Sequence, residues 1–210
     1  KGALVCNGMG MTETGPTLFL MDAPSVRAKI GSVGKAQLLA RARIVDREGR
    51  NVVQGETGEL WFSGPGITPG YWRDEAATAE VFSDGGWLKS GDLARRDADG
   101  YVYVVGRSKD MFISGGENVY PAEVENVLAS HPDVMEAAVA ARPDARWGEV
   151  GRAYVVARPG AMTDARALET YCRQRLAAYK TPKSFAFVDD LPRNALGKVV
   201  KHRLAELDGR

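Results

Sequence analysis

Cysteine, net charge and long apolar runs are all scarce in this 210-residue chain. Its two cysteines, Cys6 and Cys172, have no local partner spacing. That is too little for a disulfide framework or a structural zinc site, and the expectation is a reducing, cytoplasmic setting. Basic and acidic residues nearly cancel, 28 against 27. A net charge of +1 gives no electrostatic reason to expect DNA or RNA as a partner. No apolar stretch approaches the ~20 residues that span a bilayer. The chain opens at Lys1 without methionine and without the basic and apolar regions of a signal peptide. Ala3-Leu4-Val5 reads as a strand, and the expectation is the interior of a longer polypeptide.

What is present is an ordinary globular composition, 44% hydrophobic and 26% charged, with 24 glycines. That glycine content exceeds the average of about 7% and points to tight turns or close backbone approaches to a ligand. From Gln37 to about Gly106 the pattern is β. Short runs such as Ala42–Val45, Glu59–Phe62 and Tyr101–Val105 alternate with the turns Asp46–Gly49, Asp84–Gly86 and Asp97–Gly100. One short helix, capped by Asp74, interrupts it over 74–81. The fold class expected is α+β, an antiparallel β-barrel-like subdomain followed by a small α+β C-terminal domain. The boundary falls near Arg107–Asp110, giving domains 1–108 and 109–210.

In the second part, Met111–Ser114 and Glu117–Tyr120 flank Gly115-Gly116 and predict a hairpin. Pro121 opens a helix, since its missing N–H falls at an orphan position anyway. Val134–Ala141 and Gly151–Ala157 read as strands. Asp164 caps a helix expected to reach about Ala178, with Glu169 and Arg173 as an i,i+4 pair. Ser184–Val188 is a last strand before the polar loop LPRNALGK.

Taken singly, the chemistry-bearing segments stay ambiguous. GMTETG reads most simply as a surface turn, although Thr12 offers a hydroxyl to phosphate and Glu13 a hard carboxylate for Mg²⁺. Asp92 in GWLKSGDL could cap a turn or accept the two hydroxyls of a ribose. Arg107, fifteen residues on, could be a surface ion pair or a second ribose and phosphate contact, and Val104 is more simply core. Lys198 in LGKVVKHR is a solvated charge or, on a glycine-flanked loop, a group delivered to developing negative charge. Lys180, Lys183, Lys201 and Arg203 read as surface charges.

The order of the segments is more informative than any one of them. TETGP, GEL-x-x-x-GPG-x-x-x-GYW, GW-x-x-SGDL, GY-x-x-x-x-GR-x-KD, SGGENVYPAEVE and LPR-x-x-x-GK follow one another from about Asn7 to Lys201. In that order they resemble the core motifs of the ANL adenylate-forming superfamily, which includes acyl- and aryl-CoA synthetases, peptide-synthetase adenylation domains and luciferases.

The resemblance implies a role for each matching position. Met9, Gly10, Met11 and Thr12 would line the nucleotide, Thr12 touching its phosphate and taking part in catalysis. Glu13 would help hold Mg²⁺. Asp92 and Arg107 would bind the ribose, with Val104 against adenine. Lys109 would be a hinge, Gly115 and Gly116 would line the pantetheine channel of CoA, and Lys198 would serve adenylation. Met9 departs from the family pattern, which has an aromatic there to stack on the base.

The implied activity has two halves. A carboxylic acid, a fatty acid being the preferred expectation, attacks ATP to give acyl-AMP and pyrophosphate; CoA then takes the acyl group and AMP leaves. The family's phosphate loop and acyl pocket lie upstream of these motifs, so the segment alone is expected to be inactive. A homodimer is compatible with the sequence. A peptide-synthetase adenylation domain, or a non-catalytic regulatory module of the same descent, are the alternative readings. GGENVYP followed by EVE favours CoA ligases over the former.

Overall fold

The computed structural model describes residues 3–208. It divides into two compact units, Lys1–Ser108 and Lys109–Arg210, both of mixed α+β structure.

The first unit begins with the hairpin β1 (Gly8–Met11) and β2 (Gly15–Leu20), joined by β3 (Lys35–Ala36) in a three-stranded sheet of order β1-β2-β3. Ala3–Val5, expected as a strand, is exposed and has no regular structure. Pairing starts only at Gly8, opposite Leu20. The chain is first stitched down at Asn7, whose side-chain amide donates to Ser32 O and whose carbonyl accepts from Met21 N. An apolar run with no neighbouring strand gains no ladder and stays irregular.

The second sheet is an antiparallel meander in sequential order. It comprises β4 (Arg41–Val45), β5 (Gly58–Ser63), β6 (Leu88–Arg96) and β7 (Val102–Arg107). The antiparallel expectation holds, but among the described residues the sheet is open, with β4 and β7 as its outer strands, and no barrel closes. Period-two alternation turns Leu60 and Phe62 of β5, and Leu88 and Ala94 of β6, into a core shared with Phe19 and Val102. Between β5 and β6 lies α1 (Glu75–Val81), started by the Asp74 carboxylate, which accepts from Ala77 N at 2.9 Å.

The second unit opens with β8 (Phe112–Ser114) and β9 (Glu117–Val119), a hairpin turning on Gly115-Gly116, followed by α2 (Pro121–Ala129). A long antiparallel pair, β10 (Val134–Asp144) and β11 (Gly148–Ala157), forms the centre of its sheet. Then come α3 (Ala165–Arg173) and β12 (Ser184–Phe187), which pairs parallel to β11. β11 is covered on both faces. Ala153 and Val155 meet Val124 and Leu128 of α2 and Leu168 and Cys172 of α3, whereas Tyr154 and Val156 meet Leu191 and Leu204. Two-sided burial explains its near-continuous apolar run.

Leu204 belongs to a 3-10 helix, Lys201–Leu207, a stretch in which the sequence suggested surface charges and no element. Its far end is fastened by Asp208, whose carboxylate meets Arg142 and accepts from the Tyr154 hydroxyl at 2.8 Å. Lys201 is likewise not a free surface charge: it pairs with Glu125 at 2.7 Å, as Lys180 does with Glu123.

α3 stops at Arg173, five residues short of the expected Ala178. There the Cys172 carbonyl accepts from both Arg175 and Leu176, at 3.0 and 2.8 Å, so the last turn tightens while Leu176 still packs on the core. Burial pushes the Cys172 thiol up to about 11.

Candidate functional site

In the first unit, strand irregularities decide which way the polar side chains point. Across β5 and β6, Glu59 faces Leu93 and Trp61 faces Lys89, so Leu60 alone stands opposite Ser90, Gly91 and Asp92. A second shift, between Leu93 and Ala94, lies on the β7 side. These bulges re-aim the strand locally. Gly91 adopts φ +72°, and its N–H donates to Glu59 Oε1 at 3.1 Å, while Glu59 Oε2 accepts from the Trp61 indole at 2.8 Å. Ser90 Oγ donates to Leu60 O and accepts from Asp92 N. Glu59 and Ser90 together hold the bulge that presents Asp92.

Asp92 sits directly opposite Arg107 on β7, and Arg107 Nε donates to Asp92 Oδ1 at 3.0 Å. The carboxylate is 12% exposed and the guanidinium side chain 53% exposed. Burial lifts the Asp92 carboxyl above its ordinary value; the Arg107 charge opposes that lift and the Glu59 charge adds to it. Among the described residues no hydrogen bond reaches Asp92 Oδ2. Far from capping a turn, Asp92 is a nearly buried strand residue with one carboxylate oxygen that no described residue engages. Val104, Met9 and Met11 are partly buried against the same apolar cluster.

The GMTETG segment is a tight turn between β1 and β2. Thr14 closes it, its Oγ1 accepting from Met11 N at 3.0 Å, and only glycine fits at Gly10, where a Cβ would lie 2.4 Å from Pro16 O. Thr12 is exposed and makes no side-chain hydrogen bond among the described residues. Glu13 is half-buried, accepting from the Tyr71 hydroxyl through Oε1 at 2.6 Å.

Among the described residues no cluster of three or more His, Cys, Asp or Glu could enclose a metal ion. A single hard carboxylate beside a free hydroxyl nevertheless fits Mg²⁺. That ion takes one or two protein oxygens and completes its shell with water and substrate phosphates.

In the second unit, Gly115 and Gly116 adopt φ +61° and +88°. They do not share one environment. A Cβ on Gly115 would come within 2.5 Å of the Trp147 ring, whereas nothing lies within 4 Å of one on Gly116. Space is therefore open beside Gly116, while that beside Gly115 is taken by an indole. Lys198 is exposed on a turn bridged by Arg193 and Val199. Asn194 Oδ1 accepts from Leu196 N and Lys198 N, and Asn194 N donates to Lys198 O. The loop is thus ordered, and no ion pair among the described residues engages the Lys198 ammonium. Lys109 lies in a 3-10 turn, Ser108–Asp110, at the division between the units.

Two family descriptions match the chain, "AMP-binding enzyme" over residues 1–72 and "AMP-binding enzyme C-terminal domain" over residues 123–198. The chain belongs to the AMP-binding, adenylate-forming enzyme superfamily. It is 48% identical over 201 residues to a feruloyl-CoA synthase from an Amycolatopsis species, covering 96% of this chain and 41% of that enzyme. It is 45% identical over 210 residues to an indoleacetate–CoA ligase from Aromatoleum aromaticum, covering 100% of this chain and again 41% of the relative. An o-succinylbenzoate CoA synthetase from Bacillus subtilis, solved with ATP and magnesium ion, superposes with a TM-score of 0.88 at 40% identity. That match covers 95% of this chain and 41% of the synthetase. The chain therefore spans about two fifths of the length of these relatives. Among the described residues no helix is long and apolar enough to cross a membrane.

The sequence motifs contained GEL and GYW without assigning either a task. Glu59 and Tyr71, which hold Asp92 and Glu13 in place, lie in them. The available signal was a carboxylate and a phenol inside a motif otherwise made of glycine and apolar residues.

Proposed function

We propose that this chain is the nucleotide- and lysine-bearing part of an AMP-forming acid–CoA ligase in the cytoplasm, acting with upstream sequence that supplies the phosphate loop and acyl pocket. The observation that carries the reading is the cross-strand Asp92–Arg107 pair, with Asp92 nearly buried and one oxygen unclaimed. Asp92 Oδ2 accepts from the ribose hydroxyls, and the outer nitrogens of Arg107 reach the sugar and phosphate. Met9, Gly10, Met11 and Val104 give the base an apolar surface; the Met9 thioether covers it where the family has an aromatic ring. The Thr12 hydroxyl donates to the phosphate. Mg²⁺ would meet Glu13 and supply charge neutralisation on the phosphate oxygens.

The exposed ammonium of Lys198, in no ion pair among the described residues, is suited to bridge the attacking carboxylate and the α-phosphate as negative charge develops between them. Lys109 serves as the hinge of a mobile second unit, which withdraws Lys198 after adenylation and presents the Gly116 side of the hairpin to CoA. The two half-reactions are thereby served in turn by different groups of the second unit.

The acid is a carboxylic acid whose identity these residues do not set. A fatty acid finds no support in the names of the relatives above, so aryl and aliphatic acids are tested side by side.

The test uses the full-length protein with Lys198→Ala and a panel of aryl and aliphatic acids. Pyrophosphate exchange is expected to fall by about 10²-fold or more, the scale of losing one transition-state charge contact. CoA transfer from supplied acyl-AMP is expected to be spared. Equal losses in both half-reactions would refute the assignment.

A further inference from the structure

Glu13 is expected to face a metal ion, yet it sits on a turn only a few residues long, whose backbone does not fix a carboxylate rotamer. The structure supplies the missing constraint from residues 68–74. Thr68 N donates to Glu13 O at 2.8 Å, holding the backbone, and the Tyr71 hydroxyl donates to Glu13 Oε1 at 2.6 Å, holding the side chain. The second distance is in the range of charge-assisted O–H···O⁻ bonds.

Tyr71 is itself fastened on both sides. Its N–H donates to Thr78 Oγ1 at 2.9 Å, and its carbonyl accepts from Asp74 N. Thr78 Oγ1 in turn donates to Asp74 O at 2.7 Å. Gly70 must be glycine for this contact, since a Cβ there would lie 2.7 Å from Thr78 Cγ2. The first turn of α1 and the loop before it thus form one rigid bracket whose end is the Tyr71 oxygen.

We infer that Tyr71 is a positioning residue for the metal-facing carboxylate: by occupying Oε1 of Glu13 it leaves Oε2 as the oxygen turned toward Mg²⁺. This rests on the reading of Glu13 given above. It assigns the GYW segment a task that touches neither nucleotide nor acid. A phenol is suited to this because it donates one hydrogen bond without bringing positive charge, whereas Lys or Arg there would weaken the carboxylate's hold on a cation.

The experiment compares Tyr71→Phe, Glu13→Gln and the double variant in the full-length protein. Binding of ATP is measured by calorimetry over a range of Mg²⁺, and binding of AMP without metal serves as the control. Tyr71→Phe is expected to raise the half-saturating Mg²⁺ about fivefold, the scale of having to immobilise one freed side chain on binding, and to leave AMP affinity unchanged. With Glu13→Gln already present, Tyr71→Phe should add nothing. An unchanged Mg²⁺ dependence in Tyr71→Phe alongside a shifted one in Glu13→Gln overturns the positioning role alone. No shift in Glu13→Gln removes the metal-facing reading and the inference with it. Equal weakening of metal-free AMP binding would make Tyr71 merely structural and also overturns it.

Discussion

Adjacent glycines at the β8–β9 turn allow backbone strain to be separated from packing. Gly115 and Gly116 both have positive φ, so alanine at either position carries a left-handed penalty of about 1–2 kcal/mol. At Gly116 that is the whole cost, because the added methyl meets open space. At Gly115 the methyl would also sit 2.5 and 2.8 Å from two carbons of the Trp147 ring, and displacing a packed group costs a further ~1–3 kcal/mol. Gly115 N also donates to Trp147 O at 2.9 Å, which ties the two backbones together and prevents the turn from simply backing away.

Trp147 is 37% exposed, so its ring has room to swing outward. The expectation is a Gly115→Ala loss roughly 1–3 kcal/mol greater than that of Gly116→Ala. Trp147→Ala in the Gly115→Ala background should recover most of the difference. Urea unfolding of the second unit can be followed in every variant by amide exchange along its β10–β11 ladder, and in the variants that keep Trp147, its sole tryptophan, also by the ¹⁹F resonance of fluorotryptophan. Equal destabilisation by the two alanines, with the Trp147 resonance unmoved, would refute the steric argument.

Other substitutions test other parts of the reasoning. Because Asp92 carries a raised pKa, its charge opposes folding at neutral pH and that opposition fades as pH falls through the raised value. Asp92→Asn should therefore lose nucleotide binding without losing stability at pH 7, and any advantage it has should shrink on acidification, read by denaturant titrations at several pH values. Asn194→Ala removes two acceptor contacts from the Lys198 turn, and about 1–2 kcal/mol of local order with them. Faster amide exchange at residues 196–198 is expected, with adenylation slowed and nucleotide affinity kept. Leu204→Ala empties a fully buried position on Tyr154 and should cost about 2–5 kcal/mol in thermal or chemical unfolding.

Much of this was legible before any coordinates. Asp74 and Asp164 were readable as caps because a short carboxylate before an amphipathic run has one favourable use, and both accept from the N–H three residues on. The glycine hairpin and the opening of α2 at Pro121 followed from local stereochemistry alone. Asp92 and Arg107 were paired in sequence by motif, but their cross-strand contact depends on two bulges that no local pattern announces. The premature end of α3 and the C-terminal 3-10 helix were hidden for a related reason: both are set by what lies across the core. Even so, Leu204 and Leu207, three residues apart, carry the repeat that a 3-10 turn buries. The fatty-acid preference is a different case: the names of the relatives support a carboxylic acid and CoA but no fatty acid.

The unequal surroundings of the two thiols have a practical consequence. Cys172 is fully buried with its thiolate disfavoured, whereas Cys6 is partly open and lies just before the hairpin that carries Thr12 and Glu13. Of these two thiols, a maleimide dye added to the native protein should therefore mark Cys6 and spare Cys172. The chain thus carries a built-in attachment point for a fluorophore next to the phosphate-facing turn, and delayed labelling of Cys172 would time the opening of the second core with no engineered cysteine.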